Sequence, residues 1–204
     1  MTTSVRESMF TGIIETVGTI REIRQEGANR HFMVASKIGD ELKVDQSVSH
    51  NGVCLTVTRV DPGVHWVTAV AETLRRSNLA DQNAGGLVNL ERSMPANGRF
   101  DGHIVQGHVD QQAVVVGKKD EAGSFRFDFE YDQSRENITV EKGSICVEGV
   151  SLTCFDCKPG RFSVAIIPYT FENTSFATMK VGDRVNLEFD IIGKYVSALI
   201  ARNR

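Results

Sequence analysis

Two short runs, Cys-Leu-Thr at residues 54–56 and Ser-Leu-Thr at residues 151–153, each set a nucleophile-sized group two positions from a hydroxyl. A thiol or hydroxyl so placed can contact a ligand, hand over a proton or attack an electrophilic carbon. A third stretch, "DGHIVQGHVD" at residues 101–110, carries His103 and His108. Read as a strand, it puts these residues, five apart, on opposite faces, which argues against a shared metal. An ordinary imidazole titrates near pH 6.5, which suits His108 to proton transfer. The pair Cys154 and Cys157 in "CFDC" has the spacing of redox and zinc sites. It stands at a strand end before a Lys-Pro-Gly turn, without the helix N-terminus that lowers a thiol pKa. There is no second pair to complete a zinc site. These cysteines therefore read as small buried or half-buried thiols, and no metal is expected.

The two chemistry-bearing runs belong to one repeated unit. "NGVCLTVTRV" from Asn51 stands over "EGVSLTCFDC" from Glu148 at an offset of 97 positions. The same offset lays "AETLRRSN" over "PYTFENTS" and "VNLER" over "VNLEF", while "FTGIIE" from Phe10 stands over "VQGHVD" from Val105. Two copies of this length imply gene duplication into two like domains, divided in the Pro/Gly-rich "SMPANGRFDG". The units expected are an extension at residues 1–8, domains at 9–97 and 98–190, and a helix at 191–204.

Within each copy the hydrophobic period is two. In "SFRFDFEYD", Phe125, Phe127, Phe129 and Tyr131 face one way and the charged residues the other. Many short strands with turn signals between them predict a small closed barrel, which leaves no exposed edge. Such a barrel fills its interior with apolar side chains. Val53, Leu55, Val57, Val150 and Leu152 then point inward, and Cys54, Thr56, Ser151 and Thr153 line outer walls. A shallow wall does not exclude water, whereas two like walls brought together make a concave site for two like ligands. That suggests a reaction between two copies of one molecule. The end of the chain, "GKYVSALIARNR", has helical spacing, with Tyr195, Val196, Leu199 and Ile200 as an apolar stripe. So short a helix must pack on its own barrels or on other chains.

Composition excludes other classes. A net charge of −3 gives no footprint for nucleic acid or an anionic membrane. The apolar runs are far shorter than the roughly 20 residues of a membrane span. "MTTSVRES" lacks the apolar stretch of a secretory signal, so the expected location is cytoplasmic.

The motifs "MFTGIIE", "NGVCLTV", "ETLRRSNL", "VNLER", "GHIVQGHVD", "VEKG", "GVSLT" and "GDRVNLEFDIIGKYV" together resemble the riboflavin synthase alpha chain family over about residues 9–200. The resemblance implies an all-β fold of two six-stranded antiparallel Greek-key barrels plus a C-terminal helix that serves oligomerisation. It implies a homotrimer whose sites lie between the N-terminal barrel of one subunit and the C-terminal barrel of the next. The implied reaction is a transferase dismutation and the last step of riboflavin biosynthesis. Two molecules of 6,7-dimethyl-8-ribityllumazine exchange a four-carbon unit, giving riboflavin and 5-amino-6-ribitylamino-pyrimidinedione, with no cofactor or metal.

By the same resemblance, Cys54, Leu55 and Thr56 line the N-domain site, and Ser151, Leu152 and Thr153 the C-domain site. Gly12, Ile13 and Ile14 contact the first ligand, and Gly107, His108 and Val109 the second. Thr68, Ala69, Val70, Ala71, Glu72 and Thr73, with their counterparts Ala165, Ile166, Ile167, Pro168, Tyr169 and Thr170, meet the rings and ribityl chains. Lys142 joins the C-domain site, and Ser47 and Asp190 match positions linked to proton handling. The catalytic candidates are Cys54, His108, Ser151, Thr153, Ser47 and Asp190. His108 stands over Ile13, Glu148 over Asn51 and Ser151 over Cys54. Ligands with different fates need different acid–base surroundings, and His108 is assigned to proton transfer at the C-domain ligand.

Two rival classes share the barrel. A lumazine- or flavin-binding antenna protein would keep a ligand site without the catalytic set, and His108 with both Cys-Leu-Thr and Ser-Leu-Thr argues against it. A flavin-dependent reductase would need a nicotinamide domain, and no G-x-G-x-x-G follows a strand here.

Overall fold

The computed structural model describes residues 9–135 and 137–202. The extension expected at residues 1–8 lies outside the described residues, as do residues 203–204 of the expected terminal helix.

The first half forms six strands: β1 (Thr16–Glu26), β2 (Asn29–Ala35), β3 (Ser47–His50), β4 (Val53–Asp61), β5 (Val64–Ala69) and β6 (Leu87–Arg92). They close antiparallel in the order β1-β2-β5-β4-β3-β6. The run β3-β4-β5 with β6 returned beside β3 is a Greek key. The second half repeats this with β7 (Gln111–Asp120), β8 (Phe125–Tyr131), β9 (Ser144–Val147), β10 (Val150–Lys158), β11 (Arg161–Ile166) and β12 (Arg184–Phe189), again a closed barrel. Short helices α1 (Ala71–Arg76) and α2 (Pro168–Glu172) precede the last strand of each barrel, and α3 (Ile191–Arg202) ends the chain. The expected twin barrels and terminal helix are therefore present.

Period-two sequence becomes barrel interior. Val53, Leu55 and Val57 point into the first core, and Phe127 and Phe129 into the second. There Phe129 stacks on Phe162 with centroids 5.1 Å apart, and Phe176 meets Phe127 edge-on at 5.1 Å. Each buried phenylalanine contributes roughly 1.5–3 kcal/mol by leaving water.

The barrels meet at two tight turns. Asn51-Gly52 joins β3 to β4 with φ of 49° and 81°, and Glu148-Gly149 joins β9 to β10 with 51° and 81°. Both have the left-handed pair of a type I′ hairpin. The turns stand back to back: a Cβ on Gly52 would lie 2.9 Å from Gly149 N, and one on Gly149 2.8 Å from Gly52 N. Around them the hydrogen bonds are reciprocal. Asn89 donates its Nδ2–H to Glu148 O at 2.9 Å, and Asn186 donates its own to Asn51 O at 2.9 Å. Ser175 N donates to Asn89 Oδ1, and Asn78 N to Asn186 Oδ1, each at 2.7 Å.

Glu148 belongs to this seam and not to a ligand wall, which corrects the expectation that its contrast with Asn51 tunes a ligand's surroundings. Burial pushes its carboxyl up to about 8. Like the amide oxygen of Asn51, its carboxyl oxygen faces a buried backbone N–H. Its Oε1 accepts from Asn186 N at 2.6 Å, just as Asn51 Oδ1 accepts from Asn89 N at 2.7 Å.

The apolar face of α3 finds no cover on its own barrels. Tyr195 is 69% exposed and Leu199 60%. Asp190 caps the helix, accepting from Ile192 N at 3.0 Å, and Lys194 Nζ stands 2.6 Å from Asp110 Oδ2. Among the described residues no helix is long and apolar enough to cross a membrane.

The first barrel buries two neutral histidines. His50 Nδ1–H donates to Val48 O at 3.0 Å, which leaves its Nε2 to accept from His65 Nε2–H at 2.8 Å. Burial drives His50 down to about 3 and His65 to about 4. Both folded values lie below the unfolded one, so their stability is complete above about pH 6.5 and is lost as pH falls below it. At pH 5 each unfolded histidine gains about 2 kcal/mol by protonation. Urea unfolding should therefore show the wild type losing roughly 4 kcal/mol more between pH 7 and pH 5 than a His50→Gln/His65→Gln double variant. Equal losses would remove the pair from the acid response.

Candidate functional site

The walls expected to face ligand are finished by two irregular arms. Residues 9–15 and 101–110 belong to none of the twelve strands, and they meet at the Phe10–Val105 bridge and at the bond from His103 N to Thr11 O. The stretch holding His103 and His108 is therefore not the strand expected from sequence. Phe10 N donates to Val105 O at 2.8 Å and Val105 N to Phe10 O at 3.1 Å. Phe10, Val105 and Cys146 form a small buried cluster with Cys54 against it.

From this crossing the arms exchange barrels. Ser151 N in β10 donates to Gly12 O, and Cys54 N in β4 donates to Gly107 O, both at 2.8 Å. Ile14 then packs on the core of the second barrel and Val109 on that of the first. This reverses the expected pairing: Gly12, Ile13 and Ile14 accompany the Ser151 wall, and Gly107, His108 and Val109 accompany the Cys54 wall. His108 therefore stands on the Cys54 side and not at the C-domain wall.

Only glycine allows the approach. Gly12 (φ +77°) and Gly107 (φ +79°) would carry a Cβ 2.6 Å from Ser151 Cβ and 2.5 Å from Cys54 Cβ. A carboxylate holds each arm from behind. Glu91 accepts from Thr11 N at 2.7 Å and Gly12 N at 2.9 Å. Glu188 accepts from Gln106 N at 2.7 Å and from Gly107 N and His108 N at 2.9 Å. Burial raises both carboxyls, Glu188 to about 7, against the pull of those N–H groups.

The wall on the first barrel carries half-buried Cys54 and exposed Thr56, with Ser47 directly across the β3–β4 ladder from Thr56. Thr68, Val70, Ala71, Glu72 and Thr73 follow along β5 and α1, and His108 is exposed on the arm. Thr68 Oγ1 lies 2.8 Å from His31 Nδ1, whose Nε2 is 2.9 Å from Glu26 Oε2. Sequence reasoning missed this Thr68–His31–Glu26 chain.

The wall on the second barrel carries half-buried Ser151 and exposed Thr153, with Ala165, Ile167, Pro168, Tyr169 and Thr170 beyond. Here too a histidine was missed: His103 Nδ1 lies 2.7 Å from Ser151 Oγ. Burial lowers the His103 pKa, and the Asp190 carboxylate pulls it back up. Asp190 is thus brought to this wall. Lys142, in the turn before β9, lies beside β10, its N–H on Cys154 O at 2.9 Å and its ammonium 5.9 Å from the Phe155 ring. Leu55, Ala69 and Ile166 are buried in the barrel cores, so they offer a ligand on the outer wall backbone only. Cys154 is buried and its thiol pKa raised by that burial; Cys157 is half-buried.

Replacing Gly107 by Ala tests the close approach. Gly27 has a similar φ of +58° with nothing within 4 Å of its added Cβ, so it isolates the backbone cost. We expect Gly27→Ala to cost about 1 kcal/mol in urea unfolding and Gly107→Ala roughly 3 kcal/mol or more. Equal costs would mean that the arm does not need to touch Cys54.

Comparison with known proteins matches these features to a single family. The lumazine binding domain model fits the chain twice, at residues 11–93 and 106–190. The riboflavin synthase of Bacillus subtilis (strain 168) is 40% identical over 189 residues, covering 92% of this chain and 88% of that protein. The riboflavin synthase of Mycobacterium bovis is 41% identical over 201 residues, covering 94% and 98%, and that of Saccharomyces cerevisiae is 38% identical, covering 94% and 86%. In three dimensions the chain is similar to LumP complexed with 6,7-dimethyl-8-(1'-D-ribityl) lumazine, at a TM-score of 0.80 and 18% identity over 88% of this chain and 98% of that one. It is equally similar to LumP complexed with riboflavin, at a TM-score of 0.81 and 21% identity over the same shares; these two likenesses speak for the fold alone. On the curated relatives and the doubled domain, the chain belongs to the riboflavin synthase family.

Proposed function

We propose that this chain is a transferase that dismutates two molecules of 6,7-dimethyl-8-ribityllumazine to riboflavin and 5-amino-6-ribitylamino-pyrimidinedione. The observation that carries the reading is the pair of walls. Each joins a β-strand of one barrel to a glycine arm led in from the other half, and the two present different reactive groups, Cys54 with His108 and Ser151 with His103. Similar walls suit identical ligands, and unlike side chains suit their different fates as donor and acceptor of four carbons.

The substrate's own ring spreads the charge left when its 7-methyl group loses a proton. The chain's share is to hold two rings face to face and to handle protons. Orientation of this kind is worth up to about 7–11 kcal/mol in favourable intramolecular systems. A positioned acid or base adds about 10²–10⁴-fold. Cys54, Thr56 and His108 serve one ligand, and Ser151 and Thr153 the other, with Ser47 and Asp190 close by. Cys54 can act as contact, proton donor or nucleophile.

An open wall needs a lid, and a second copy supplies it. The uncovered face of α3, with Tyr195, Val196, Leu199 and Ile200, supports assembly of like chains, which we assign as a homotrimer with sites between subunits. The location that suits such an enzyme is cytoplasmic.

Incubation with the lumazine alone tests the reaction. One riboflavin and one pyrimidinedione should appear for every two substrate molecules, without added metal or reductant. Binding without turnover would favour an antenna protein, and a need for reduced nicotinamide would favour a reductase. Light scattering tests the assembly. The wild type should weigh close to three 22.5 kDa chains, and Leu199→Glu should release folded monomers with roughly 10²-fold less turnover, since half of each site is withdrawn. A fully active monomer would overturn the shared site.

A further inference from the structure

The arm that crosses the second wall delivers His103 to Ser151. His103 N donates to Thr11 O at 3.1 Å, which pins its backbone to the other arm. Gly102 comes so close that a Cβ would lie 2.0 Å from Thr11 O and 3.1 Å from Ser151 Oγ. Gly12 closes the other side, its own N–H held by Glu91. The imidazole is thus fixed within hydrogen-bond reach of one hydroxyl, half-buried, with Nδ1 and Oγ 2.7 Å apart. The charged group acting on it is Asp190, from the junction of β12 and α3. The hydrogen bonds of His103 are to Ser151 Oγ from β10, through the ring, and to the Thr11 carbonyl of the first arm, through its backbone N–H.

We infer that His103 is a positioning residue for the proposed reaction, working through Ser151. It takes the tautomer with its proton on Nε2, so Nδ1 accepts the Ser151 O–H and a lone pair of Oγ is turned toward the ligand on the second wall. When that ligand or an attached water gives up a proton, Oγ takes it and passes its own proton to Nδ1. The imidazolium that forms is balanced by the Asp190 carboxylate, and on return of the proton the pair is restored. The relay needs neutral His103 in the resting site, so turnover falls as the imidazole protonates on the acid side. This inference rests on the proposed reaction and adds which group serves the second ligand.

The test is the pH profile of kcat and KM for wild type, His103→Gln, His103→Ala, Ser151→Ala and the His103→Ala/Ser151→Ala double variant, with the far-ultraviolet spectrum checked for each. Failure of the wild type to convert lumazine would sink the proposed function itself, independently of His103. Given wild-type turnover, His103→Ala should lose roughly 10²-fold in kcat with KM little changed. His103→Gln, which still hydrogen-bonds the hydroxyl but cannot titrate, should keep more activity and lose the acid limb. The double variant should be no worse than the poorer single variant, because the two residues act as one unit. An acid limb unchanged in His103→Gln, a rise in KM alone, or losses that multiply in the double variant would each overturn the inference. Should His103→Ala not fold, the Gln variant decides by its profile.

Discussion

Close backbone approach at the seam between the barrels is the constraint on which the rest depends. Contacts that leave no room for a β-carbon on the glycine include Gly52 against Gly149, Gly12 against Ser151 and Gly107 against Cys54. The first pair sets the two hairpin turns back to back and fixes how the barrels meet. The other two bring each arm flush against a strand of the opposite barrel. Because the arms cross, neither half completes its own wall. The asparagines and glutamates of the repeated Val-Asn-Leu-Glu then satisfy the seam. Asn89 and Asn186 tie the turns and the loops after the short helices, while Glu91 and Glu188 gather the amides of the arms.

On this near-symmetric frame the chemistry is not symmetric. Where the two copies meet structural needs, they use chemically equivalent groups. Glu148 stands in for Asn51 because either gives a side-chain oxygen to a buried backbone N–H. Where the copies face outward they diverge, with thiol against hydroxyl and isoleucine against His108. The buried positions of the repeat therefore report on folding, and its half-exposed ones are where the proposed function places the ligands.

Much of this is legible in the sequence. Period-two runs such as Phe125–Tyr131 give the strands, the offset of 97 gives the duplication, and inward valines and leucines place Cys54, Thr56, Ser151 and Thr153 on outer walls. The arms are a different matter. Residues 101–110 have no periodicity, and nothing local says that an irregular segment crosses to the other barrel. Reading them as a strand put His103 and His108 on opposite faces and hid the contact of His103 with Ser151. The exchange also moved His108 to the Cys54 wall. One signal was available: asparagine and glutamate kept in both copies of Val-Asn-Leu-Glu, on the outward face of a strand, mark a face that is covered. The uncovered stripe of α3 was visible as a pattern, but only coordinates tell whether the chain's own barrels cover it.

The central claim is that each ligand wall joins one barrel to the arm of the other half. A crystal structure with 6,7-dimethyl-8-ribityllumazine bound tests it most directly. The account predicts one ligand touching Cys54 and Thr56 together with Gly107–Val109, and another touching Ser151 and Thr153 together with Gly12–Ile14. A ligand on Cys54 that touches Gly12–Ile14 of the same chain, or one lodged inside a barrel, would contradict it.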